Sequence, residues 1–189
     1  MAKEKRLRIY DSNFKEIFLS QIVSLFGGVI AGSALALYTN KLLIIPSMLI
    51  LLPGFLEMRA NISAPMASRL TCGLFLGVIE TGKPSKTKRN IIKGNVIASF
   101  LLCFILSLML GLIVFFINYF LFHVYTPELI LIVIIAGIIA NAIEIPVTLF
   151  TTLYLFKNGH DPNNIMGPFL TSIGDITSIA AILFTMVIL

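Results

Sequence analysis

Charge is scarce in this sequence. Lys, Arg, Asp and Glu make up 12% of its 189 residues, about half of the ~25% usual in a soluble domain. Hydrophobic residues make up 58%, and mean hydropathy is +0.99. Water cannot cover uncharged runs such as 97–122 and 129–140, so a soluble protein is excluded. The chain reads as an integral membrane protein. Residues 1–189 form one membrane domain, with 1–16 a short basic cytoplasmic tail.

Cysteine and histidine are scarcer still. Cys72 and Cys103 lie in apolar runs, where thiols pack rather than react. Neither a disulfide framework nor a thiolate metal site follows. His123 and His160 fall in loops on opposite sides of the expected bundle, so one protomer cannot use both on one metal. There is no phosphate loop and no nucleophile triad. Serines and threonines abound, but none has a histidine base within the apolar runs. An enzyme is therefore not expected, and no organic cofactor is implied.

The net charge of +5 comes from two basic clusters: Lys3, Lys5, Arg6, Arg8 and Lys15, then Lys83, Lys86, Lys88, Arg89 and Lys93. No aromatics interleave with the second cluster, which argues against nucleic acid. Short basic segments beside spans mark the cytoplasmic side, and they can also touch anionic headgroups.

What is present is helix-length apolar sequence. A span needs ~20 residues, and five are expected, at 17–40, 42–80, 91–122, 127–156 and 165–189. Ala34-Leu35-Ala36 mimics a signal-peptidase site, but the apolar segment 17–36 exceeds the usual 7–15 residues. It reads as a retained span, with small residues such as Gly27, Gly28 and Gly32 allowing close helix contacts. The second element is too long for one straight crossing; it is either tilted or broken near Pro53 or Pro65. One net crossing puts both basic clusters on one side. The expected topology has a cytoplasmic N-terminus and an outer C-terminus, in the plasma membrane.

Residues 53–70 interrupt these runs with Glu57, Arg59, Asn61 and Arg69. A charge at membrane depth costs at least ~2.5–3.5 kcal/mol on insertion scales, and marks a bundle interior or a watery path. Transport of a polar solute is therefore expected. Pro65 leaves the Asn61 carbonyl without its helical donor. Glu57 lies one turn from Asn61 on the same face. A carboxylate, an amide and a freed carbonyl can hold a hard cation or its waters. The competing structural reading pairs Glu57 with Arg59 or Arg69 and treats Pro65 as a kink.

Two further stripes carry polar groups. Asn141, Glu144, Thr148 and Thr151 share a face of the fourth span; for the threonines an interhelical hydrogen-bond seam is the simpler reading. Asp161-Pro162 reads as an N-cap and first helical residue. Thr171, Asp175 and Ser178 then form one face of the fifth span. Asp175 falls near mid-membrane with no basic residue after Lys157, so its partner is Arg59 or Arg69 on another helix, or a bound cation.

Pro53-Gly-Phe-Leu-Glu-Met-Arg59-Ala-Asn61 with Ala67-Ser68-Arg69-Leu70-Thr71 resembles the second-helix signature of MgtE-type magnesium transporters, closest to the related eukaryotic magnesium solute carriers. Asp161-Pro162-Asn163-Asn164, Pro168, Thr171 and Gly174-Asp175 resemble that family's last-helix signature. The resemblance implies a dimeric pore with five helices per protomer, in which Asp175 matches the aspartate that faces the cation. Eukaryotic members carry two such units per chain; one unit here implies a homodimer. Ala60 replaces the family's glycine before the asparagine. The bacterial sensing domains have no counterpart in the sixteen residues before the first span, which implies gating from elsewhere or none.

The expected function is transport of a divalent cation, most of all Mg²⁺, which keeps its waters and prefers one or two carboxylates. Asp175, Asn61, Glu57, Glu144 and Thr171 are the candidate ligands. The alternatives are a proton- or Na⁺-coupled transporter of another solute, and a non-transporting membrane subunit that binds Mg²⁺.

Overall fold

The computed structural model describes residues 2–42, 47–80 and 85–189, with side chains described from residue 13 and excepting 41 and 42. Five long helices and one short one occupy these residues: α1 (Ala2–Leu37), α2 (Thr39–Leu42), α3 (Met48–Phe75), α4 (Lys86–Phe122), α5 (Glu128–Lys157) and α6 (Pro162–Ile188). No strand occurs among the described residues. The architecture is all-α, as the apolar runs require.

Among the described residues, four segments are long and apolar enough to cross a membrane: Asn13–Leu37, Lys86–Phe122, Glu128–Lys157 and Pro162–Ile188. The second expected span, α3, has 28 residues and so the length, but Glu57, Arg59 and Arg69 dilute its apolarity. The segment 2–16 is helical and continuous with α1, whose membrane-length apolar stretch begins at Asn13. Of the two forms expected for the second element, the structure has the unbroken one: α3 runs through Pro53 and Pro65. Neighbouring helices allow prolines inside membrane helices, and α3 is packed against α4, α5 and α6.

Local chemistry sets the other boundaries. Ser85 caps α4 by accepting from the Thr87 amide at 3.2 Å. His123, at φ 55°, ends α4 in the left-handed region. Buried Asn118 then fastens the turn, donating to Thr126 Oγ1 at 2.6 Å and to the Val124 carbonyl at 3.3 Å. Asp161 caps α6 by accepting from the Asn163 amide at 2.9 Å, with Pro162 first in the helix.

Small residues let the helices approach, as membrane interfaces favour. A Cβ on Gly27 of α1 would lie 2.4 Å from Ser172 Cβ of α6. A Cβ on Gly111 of α4 would lie 3.0 Å from the Ile130 backbone of α5. Two apolar clusters hold α3 in place. One joins Met48, Leu51 and Phe55 to Val133, Ala136 and Ile182. The other joins Met66, Leu70 and Leu74 to Ile145. Helix α1 packs chiefly against α6 and leaves most of its own surface exposed.

Candidate cation pathway

Between the two apolar clusters lies a buried ion pair. Arg59 of α3 meets Glu144 of α5 through Nη2 and Oε2, with both side chains almost fully buried. Arg59 Nη1 also donates to Thr177 Oγ1 of α6 at 3.4 Å. Gly174 makes room for the pair: a Cβ there would sit 2.6 Å from Glu144 Oε1. Three helices are thus tied at one level. A buried charge is tolerable only when paired, and the pairing explains how α3 carries an arginine inside the bundle.

Glu144 was expected among the cation ligands. The structure sets it apart from the other four, because Arg59 holds it and it is 1% exposed. Asn141, one turn away, donates to the Ser99 carbonyl of α4 at 3.2 Å; the interhelical seam expected of the threonines does not extend to Thr148, whose buried Oγ1 has no hydrogen-bond partner among the described residues. Arg69 donates from Nε to Asn95 Oδ1 at 2.8 Å. Glu57 therefore pairs with neither arginine among the described residues.

Glu57 instead accepts from Asn61 Nδ2 at 3.1 Å, and both side chains are exposed. They belong to a stripe of exposed residues on α3: Pro53, Glu57, Asn61, Ala64, Ser68 and Cys72. Spacings of three and four keep it on one face. On the adjacent helix α6, Thr171 is exposed and donates to the Gly167 carbonyl at 3.1 Å. Asp175, one turn on, is half-buried and has no hydrogen bond or ion pair among the described residues. The Arg59 charge acts on it across the helix boundary. Ser178, expected on the same face, is fully buried, so that face divides at Asp175.

A cavity of about 220 Å³ lies between α3 and α6 at the end that bears the basic residues, lined in part by Ser68, Thr71 and Asn163. None of these three is a ligand on the sequence reading. The signal for Ser68 was there: seven residues past Asn61 is two helical turns, hence the same face. No cluster of three or more acids, histidines or cysteines that could cage a metal occurs among the described residues.

The bundle is one of long apolar helices, with Glu57 and Asn61 on an outward face of α3. The chain belongs to the MgtE family: the family's profile, described as a divalent cation transporter, matches residues 52–185. That match runs from the start of the α3 stripe into the last turn of α6 and takes in every candidate ligand. Neither the curated proteins nor the solved structures gave a match. The chain is thus an integral membrane protein of a divalent-cation transporter family, and that family is one of transporters rather than enzymes.

Proposed function

We propose that two copies of this chain form a homodimer that carries Mg²⁺ across the plasma membrane along the polar face shared by α3 and α6. One observation carries the reading: Glu57 and Asn61 lie exposed in the middle of α3, and α6, which packs against α3, carries an Asp175 without a hydrogen bond or ion pair among the described residues. In a lone protomer that face would meet lipid, at ~2.5–3.5 kcal/mol for each charge. A second copy related by an axis along the stripe removes the penalty and encloses a polar path. Two Asp175 carboxylates then face one divalent ion.

Asp175 is the direct ligand. Asn61, its freed carbonyl and Thr171 contact the ion's waters, since Mg²⁺ usually keeps several of them. Glu57 draws cations to the path. Glu144 serves at one remove, as the counter-ion that lets Arg59 stand behind the site. The basic residues at the α3–α4 and α5–α6 ends mark the cytoplasmic side, which leaves Leu189 outside.

The test is Mg²⁺ flux into dye-loaded proteoliposomes, with Na⁺ and proton gradients imposed in turn. Asp175→Asn is expected to lower flux by at least about tenfold, the ratio that ~1.4 kcal/mol of lost ion binding gives. Unchanged flux in that variant removes Asp175 from the mechanism. Flux that follows an imposed gradient makes the protein an exchanger; indifference to both gradients makes it a channel. Flux that needs a proton gradient and ignores Mg²⁺ turns the reading to another solute.

A further inference from the structure

The groove between the start of α4 and the end of α5 is remote from the α3–α6 face. It has a volume of about 230 Å³ and is lined by Lys88, Phe150, Leu153, Tyr154 and Lys157. Lys88 is half-buried; the other basic residues of the first α4 turns, Lys86, Arg89 and Lys93, are exposed. Lys88 Nζ donates to the Glu80 carbonyl at 3.2 Å, which leaves two of its N–H groups free. Lys157, in the last turn of α5, has no partner among the described residues. No carboxylate lines the groove.

The wall below the lysines is apolar and turned outward. Phe150 is 71% exposed and Tyr154 56% exposed, and their rings stack at 6.0 Å. Phe150 lies two turns from Lys157, about 10 Å along the axis at 1.5 Å per residue. Positive charge at the membrane surface above an aromatic face at acyl depth fits one class of ligand. We propose that this groove binds an anionic phospholipid, its phosphate between Lys88 and Lys157 and an acyl chain along Phe150, Leu153 and Tyr154. Basic pockets between membrane helices recognise such headgroups, at roughly a fivefold gain per lysine. A soluble anion would leave the aromatic wall uncovered, and a zwitterionic lipid would leave the two ammonium groups uncompensated.

The absence of tryptophan from the chain makes the test direct. Tyr154→Trp places a single fluorophore in the groove. Its quenching is measured in vesicles of phosphatidylcholine containing either brominated phosphatidylglycerol or brominated phosphatidylcholine. Several-fold stronger quenching by the anionic lipid is expected. Adding Lys88→Gln with Lys157→Gln should bring the ratio close to one. Adding Lys86→Gln with Arg89→Gln instead should leave it high. Phe184→Trp reports on a groove against α1 that has no basic residue in its lining, and should show no preference. Equal quenching of the Tyr154→Trp variant by both lipids overturns the proposal. So does a preference that falls as much with the Lys86 and Arg89 changes, which would mean diffuse surface attraction in place of a site.

Discussion

Three residues decide how charge is stored inside this protein. Arg59, Glu144 and Gly174 come from α3, α5 and α6, and each is there because of the other two. Removing one partner of a buried pair is far more damaging than removing both, since a lone charge is left in a medium that cannot solvate it. Glu144→Gln should therefore destabilise the folded protein by about 3–5 kcal/mol, read as a fall in the thermal unfolding midpoint of detergent-solubilised protein. Arg59→Met combined with Glu144→Leu should recover most of that loss. A single variant as stable as the native protein would show that the pair carries little of the packing. At this scale the sequence was legible for the helix caps and opaque for the pair. Asp161 and Pro162 interact within one turn, so their role can be read off adjacent letters. Arg59 and Glu144 meet only when α3 and α5 take a particular register, and nothing local records it.

Among the elements, α6 is the common neighbour of α1, α3 and α5. Its contact with α1 includes a close approach at Gly27 as well as polar contacts from Glu16 and Ser20 to the start of α6. Gly27→Val should loosen α1, because even its Cβ would overlap Ser172, whereas Gly28→Val meets nothing within 4 Å. Thermal unfolding of the two variants checks this; overpacking of this kind costs about 1–3 kcal/mol. Equal behaviour of the two would place the α1–α6 contact elsewhere. Helix identity was legible from long apolar runs. The limits of α3 were less so, since prolines that break helices in water sit inside this one. The outward stripe was half legible: the four-residue step from Glu57 to Asn61 was plain, while the separation of Ser178 from Thr171 was not. Those two lie on nearly the same side of α6, and the packing of its neighbours decides which is buried.

For the whole molecule, the shared polar face predicts a pair of chains. Cys72 lies exposed on the α3 stripe, whereas Cys103 is buried. Mild oxidation in vesicles should give a species of twice the 20.8 kDa chain mass. Cys72→Ser should abolish it and Cys103→Ser should not. A protein that stays single under oxidation, and also has a single-chain mass in detergent, would refute the dimer and leave the stripe to a different partner.

The Arg59–Glu144 pair also bears on how the protein is made. A chain grows from its N-terminus, so α3 meets the membrane while Glu144 is still unsynthesised. Among the described residues, four helices are long and apolar enough to cross a membrane, and α3, with its arginine unmatched, is outside that set. Its stable insertion is expected to depend on α5, which brings the carboxylate. The helix that carries the Glu57–Asn61 stripe is thus early in translation and expected to be late in assembly. Any change that delays α5 should leave α3 at the bilayer surface, where the cell's quality-control proteases would find it.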